Sequence, residues 1–303
     1  MRNRGSQSIP ASVCFIMTVF VPISAFANNP TVVKETKNSV SPPLRDVVVR
    51  GQSGKSQQGQ VAQPTGAPLT NSQPDPAAHV LSNTALPVIA GLNFDGIGAT
   101  DTVASGGPFV PPDTNGAVGA TQFVQWVNIT FEVFDKKTGL PVMGPTPGNA
   151  FWAGFGGPCE TRNDGDIIIQ YDKMADRWVA AQPVFVAPFM YCLAVSTSSD
   201  ATGTYNQYAF PLGNFPDYPK LSVWPDAYYA TFNMFTQQFL GAQACAYDRT
   251  NMLAGNPATL ICKLPWNRAI NLLPSDLDGA TPPPAGSKNY YLGIHDTSHL
   301  QEF

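Results

Sequence analysis

Four segments of this chain repeat one order of features, an aromatic-rich strand followed by a turn built on Asp. They are FVQWVNITFEVFDKKTG (Phe123 to Gly139), RWVAAQPVF with CLAVSTSSDATG (Arg177 to Gly203), AYYATFNMF with ACAYDRTNMLAG (Ala227 to Gly255), and NYYLGIHDTSHLQEF at the end. Aligning Val124, Trp178 and Tyr229 gives steps of 54 and 51 residues. Tyr291 follows after 62, the excess falling in TPPPAGS. Self-similarity at such a period is the mark of a repeated β-sheet unit. The expected fold is all-β: a β-propeller-like array of four-stranded antiparallel blades, three of them with part of a fourth. A β-sandwich is the alternative, because aromatic strands recur in any β protein. The 29 Pro and 26 Gly agree, since they favour many turns over long helices.

The N-terminus points to export. Arg2 and Arg4 form a positive start, Ala11 to Val21 is an apolar run, and Ala25-Phe26-Ala27 has the small-x-small cleavage pattern. The apolar run is short and ends at Pro22, which argues against a membrane span. Residues 1–27 therefore read as a signal peptide, with no membrane span after cleavage and an extracytoplasmic location, secreted, periplasmic or on the cell surface. The whole chain carries −4. The 17 basic residues less Arg2 and Arg4 leave 15 against 21 acids, so the mature chain would carry −6. A mildly acidic chain without a basic run offers no footprint for nucleic acid.

Cys14 lies in the signal, leaving Cys159, Cys192, Cys245 and Cys262. No CxxC occurs and no His lies nearby, so a zinc site is disfavoured and two disulfides are expected. The favoured pairing is Cys159 with Cys192 and Cys245 with Cys262, the latter on consecutive strands of one repeat.

Residues 28–85 are polar and rich in Pro, Gln and Ser, and read as a disordered leader with too little apolar surface to offset ordering. Val47-Val48-Val49 is an isolated apolar spot in it. The β-propeller-like domain is expected over 86–303, opening with a strand and turn in LPVIAGLNFDGIG. Unit one holds PPDTNGAVG, FVQWVN and ITFEVFDKKTG; unit two DGDIIIQYD, RWVAAQPVF, YCLAVSTS and TYNQYAFPL. Unit three holds KLSVW, AYYATFNMF, ACAYD and TLICKL, with a helical turn around Thr250 to Ala254. The glycine-rich string GFGGPC reads as a loop.

PPDTNGAVGATQFVQWVN, GFGGPCETRNDGDIIIQYDKMADRWV, AVSTSSDATGTY and DYPKLSVWPDAYYATFN together resemble a group of large exported bacterial proteins of uncharacterised function, usually expected to contain a β-propeller. The similarity runs from about Leu86 to Phe303. Members of the group commonly continue further, which implies that this chain is an N-terminal portion, truncated within its fourth blade. The resemblance implies a fold and export, and transfers no catalytic residue.

Two constellations bear on chemistry. Ser198 to Tyr205 resembles the Asp-box of sialidase-type propellers: Asp200 would accept turn amides, Gly203 would supply a positive φ, and Tyr205 would pack between blades. Asp135 and Asp248 would make structural turns in the neighbouring units. Sialidase activity is disfavoured, since Arg162, Arg177, Arg249 and Arg268 do not form the arginine cluster that grips a substrate carboxylate. The second constellation is Asp113, Asp166 and Asp217, which, with Asp164, precede the first strands of units one to three. If first strands line an axis, these carboxylates can converge, to act as an acid–base pair on a glycosidic bond or to hold Ca²⁺. Ordinary turn chemistry explains the same residues. His295 and His299 sit four apart after an apparent strand, without the helix and Glu of a zinc motif, so no metal site is assigned and no cofactor beyond that Ca²⁺ is expected. The sequon Asn128-Ile-Thr130 falls in an expected strand. The reading is an exported binding or surface-interaction module for an extracellular glycan or protein. The alternative is a carbohydrate-active hydrolase or lyase using Asp113, Asp166 and Asp217.

Overall fold

A computed structural model describes residues 30–47, 91–263, 269–279, 281–294 and 300–302. The signal peptide, residues 48–90, His79, Arg268, His295 and His299 lie outside the described residues.

The fold is all-β, built from antiparallel sheets. In chain order the strands are β1 (Thr31–Lys34), β2 (Lys37–Val40), β3 (Asn115–Val118), β4 (Gln122–Val127), β5 (Thr130–Asp135) and β6 (Pro141–Pro147). They continue with β7 (Ile168–Asp172), β8 (Arg177–Val184), β9 (Met190–Ser196), β10 (Tyr205–Pro211), β11 (Phe215–Val223) and β12 (Tyr228–Phe235). The last are β13 (Phe239–Tyr247), β14 (Thr259–Cys262), β15 (Leu273–Pro274), β16 (Tyr291–Ile294) and β17 (Leu300–Glu302). Two short helices are α1 (Gly157–Thr161) and α2 (Arg249–Ala254).

Each repeat is a meander. Sheet one is β3-β4-β5-β6, sheet two β7-β8-β9-β10, sheet three β11-β12-β13-β14, and a fourth pairs β15-β16-β17. Sheet one has a fourth strand, β6, that period-2 alternation could not reveal, because PVMGPTP carries three prolines. Proline cannot donate to a ladder and is tolerated on an edge, where it discourages further pairing. GFGGPC leads into the helical turn α1 instead of remaining a loop, and α2 lies between β13 and β14, where a helical turn was expected.

The cores lie between sheets. Trp126, Phe131, Phe151, Trp152, Phe155, Trp178 and Tyr205 fill the space between sheets one and two. Tyr191, Tyr208, Phe210, Tyr228, Phe232 and Tyr247 fill that between sheets two and three. Alternation along each strand sends one set of side chains to the preceding sheet and the other to the following one. The alignment of Trp178 with Val124 therefore needs correction. Gln170 pairs with Val179 as Ala117 pairs with Val124 and Ser222 with Tyr229. Val179 is the counterpart, and Trp178 points the other way, toward sheet one, because a one-residue slip in register reverses the face.

The leader assignment for 28–85 does not hold for residues 30–47. β1 adds to the outer edge of sheet three through β14, and β2 adds to the outer edge of sheet two through β10. The chain then descends sheet two, with Leu44 fully buried and Val47 against the same core. Low hydrophobicity over the whole segment concealed this, because the strap is held by ladder bonds to existing edges and by one buried leucine. Of the strand and turn expected over Leu86 to Gly98, residues 86–90 lie outside the described residues, and residues 91–98 form no strand. Phe94 instead packs on Phe123 and Phe134, and Ile97 N–H donates to Gln125 Oε1 at 2.7 Å.

Both expected disulfides are present. Cys245 and Cys262 face each other across β13 and β14, and Cys159 of α1 is joined to Cys192 of β9.

Candidate functional site

Each unit has a residue in the left-handed region at its first strand: Asp113 (φ 42°), Asp166 (φ 50°) and Asn271 (φ 53°) just before it, and Tyr218 (φ 51°) inside β11. The steps are 53, 52 and 53 residues, a tighter period than the aromatic alignment. Asp and Asn tolerate this conformation, whereas Tyr218, bulky and followed by Pro219, does not do so readily. Tyr218 and Pro219 form a bulge in β11, two residues opposite one between the Asp217–Asn233 and Lys220–Thr231 pairs. Bulges re-aim side chains, often beside functional sites.

First strands of successive sheets adjoin. Asn115 Nδ2 donates to Ile167 O at 2.5 Å and its Oδ1 accepts from Ile169 N–H at 3.0 Å. Gln170 Nε2 donates to Leu221 O at 3.2 Å, and Val223 N–H to Asp276 Oδ1 at 2.7 Å. Because the left-handed residues recur at the same end of these strands, Asp113, Asp166 and Asp217 come together from three different sheets. Asp113 and Asp166 are directly coupled through their side chains, and Asp217 and Lys220 act electrostatically on Asp166. Burial, then the charges of Asp113 and Asp217, push Asp166 up to about 7, with Lys220 opposing. Two neighbouring carboxylates resist ionising together, which favours one proton held by the Asp113–Asp166 pair. Burial also raises Asp113 and Asp217 and lowers Lys220, whose depression the three carboxylates partly counter. Lys220 Nζ lies 3.4 Å from the centroid of the Tyr218 ring, and Tyr218 as a residue is 44% exposed.

Asn128 completes the edge of the cluster. Its Nδ2 donates to Pro111 O at 3.1 Å and Asp113 Oδ2 at 3.2 Å. It occupies a left-handed turn between β4 and β5 instead of a strand, and is 3% exposed, so the sequon is buried. Lys220 and Tyr218 were not singled out by the sequence, and Asn128 only as a sequon. A lysine where the other units have Asn115 and Ile168 was the available signal.

The remaining expected residues are elsewhere. Asp164 is bound to Arg162 at 2.7 Å and accepts Phe185 N–H at 2.9 Å, outside the cluster. Asp135 Oδ1 accepts from Lys137 and Thr138 N–H, and those Thr138 bonds hold its carboxyl below the usual range. Asp248 caps α2, accepting Asn251 N–H at 3.1 Å. Burial alone would raise Asp200, but bonds from Thr202, Gln122 and Arg45 hold it at about 2. Gly203 does not have the positive φ expected of it. A Cβ there would meet Asp200 O at 3.1 Å, so a tight turn is its requirement. Tyr205 is buried between sheets one and two, its hydroxyl donating to Ala201 O at 2.8 Å. Arg249 is engaged by Asp172, and Arg177 by the carbonyls of Ala175 and Asp176.

Among the described residues no group of three or more His, Cys, Asp or Glu is arranged to hold a metal ion, and no helix is long and apolar enough to cross a membrane. No protein-family model, curated protein or solved structure matches this chain.

Proposed function

We propose that this is an exported, β-propeller-like binding module whose ligand site is the cluster of Asp113, Asp166, Asp217 and Lys220. Meander sheets whose first strands adjoin in order favour blades around an axis over a sandwich. Two disulfides fit an oxidising compartment outside the cytoplasm, in line with the signal-like start. The observation that carries the site is the meeting of three carboxylates from three sheets beside an exposed, strained tyrosine. Like charges gathered at the end of first strands cost stability, and strain of this kind concentrates at functional positions. An extracellular polymer rich in polar groups is the fitting ligand class. A glycan array probed with the chain and with an Asp113→Asn, Asp166→Asn, Asp217→Asn triple variant tests this. Binding that survives the triple substitution at full strength rules the site out.

The shared proton favours a second reading, a glycan hydrolase or lyase with Asp166 as acid and Asp113 or Asp217 as base. Product release from any array-positive glycan, lost in the folded Asp166→Asn variant, would establish it; binding without turnover leaves the module reading.

A further inference from the structure

The proposed site offers more hydrogen-bond acceptors than donors. Besides three carboxylates, Asn128 Oδ1 is buried with no hydrogen-bond partner, its Nδ2 being committed to Pro111 and Asp113. A buried acceptor without a donor is costly, so the Asn128 carbonyl oxygen favours an incoming donor. The one cation at hand is already committed: Lys220 Nζ donates to Pro219 O at 3.0 Å and covers the Tyr218 ring. Among the described residues it forms no ion pair.

We propose that this site binds an ammonium group, carried by an extracellular amine such as an amino-sugar polymer or a polyamine. The inference rests on the cluster being the ligand site. An ammonium supplies three donors and a positive charge to a surface holding three carboxylates and one lysine. The Tyr218 ring, on a partly exposed residue of the bulge, already takes an ammonium on its π system, which is the chemistry aromatic rings offer to cations. A neutral glycan would leave the carboxylates facing one another.

Cation binding must compete with the proton shared by Asp113 and Asp166. The groups coupled electrostatically to Asp166 are Asp113 from the segment before β3, Asp217 and Lys220 from β11, and Tyr191 from β9; Asp164 on its own segment is paired with Arg162. An amine charged throughout should therefore bind more tightly as pH rises past neutrality.

Calorimetric titration of the full chain tests this with spermidine at pH ~5.5 and ~7.5, and with glucosamine and N-acetylglucosamine hexamers at pH ~5.5, where the free amines are charged. Spermidine is expected to bind about tenfold more tightly at the higher pH, and Asp166→Asn to abolish that difference. Tyr218→Ala should weaken spermidine about fivefold, while Asp278→Asn, outside the cluster, should leave it unchanged. The glucosamine hexamer should outbind its acetylated counterpart if the source is an amino sugar; spermidine binding alone points to a polyamine. Equal binding of both hexamers with no pH response to spermidine overturns the ammonium assignment. If that binding is still lost on Asp113→Asn or Asp217→Asn, the ligand site itself stands. Binding insensitive to every cluster substitution overturns both.

Discussion

Asp172, at the end of β7, has no exposed surface, and its carboxylate receives Arg249 Nε at 2.7 Å, Arg249 Nη2 at 3.0 Å and Tyr228 O–H at 2.9 Å. The pair joins sheet two to the α2 turn of sheet three. Breaking a buried pair leaves a charge without compensation, so Arg249→Ala should cost about 3 kcal/mol in urea unfolding at neutral pH. The half-exposed Arg45–Asp200 pair is solvent-screened, and Arg45→Ala should cost about 0.5 kcal/mol or less. A cost for Arg249→Ala no larger than that for Arg45→Ala would refute the contrast. Asp166 gives a third residue-scale expectation. It titrates near 7 in the folded state against 3.8 for the free side chain, so between those values the folded state holds the extra proton. Stability should then fall as pH rises through that window, by on the order of 1–3 kcal/mol. Burial shifts Asp113 and Asp217 in the same direction. Asp166→Asn should flatten the slope and be the more stable form at pH ~8, readable as Tm against pH.

At the scale of elements, the strap of residues 31–46 stands out. β10 and β14 read YNQYAFP and TLIC and lack the internal prolines that blunt β6, so their edges would stay open to other strands without β2 and β1. Leu44 pins the strap, and Leu44→Ala should cost about 3 kcal/mol through lost burial and the cavity left behind. Thermal unfolding and self-association by light scattering check it; an unchanged Tm with no association would mean the strap is dispensable. Strand periodicity was legible in β7 to β14 because their side chains alternate between two packed faces. The strap was illegible because its pairing partners lie more than 150 residues away, as Asn206 with Val40 shows. β6 was hidden by its prolines, and Trp178 was assigned to the wrong face because aromatic content marks a strand without marking its register.

For the whole molecule, successive sheets share cores, so protection should follow position within the stack. Amides of β8, β9 and β12, paired on both sides and covered on both faces, should exchange hydrogen slowest, and those of β3 and β6, each with one unpaired edge, fastest among the sheet strands. Exchange mass spectrometry reads this directly; equal protection across all strands would contradict it. The repeat, the all-β class, the cysteine pairing and the positions of Asp113 and Asp166 before their first strands were determined by the sequence alone, whereas Asp217, expected before its strand, lies inside β11. Each depends on local periodicity or on neighbours in one repeat. Only the tertiary structure decided that Lys220 is coupled to those carboxylates and covers the Tyr218 ring, that Asn128 joins them, and that a polar N-terminal segment closes two sheet edges. Those outcomes depend on register, on a bulge and on summed charge across three sheets, quantities that no local pattern carries.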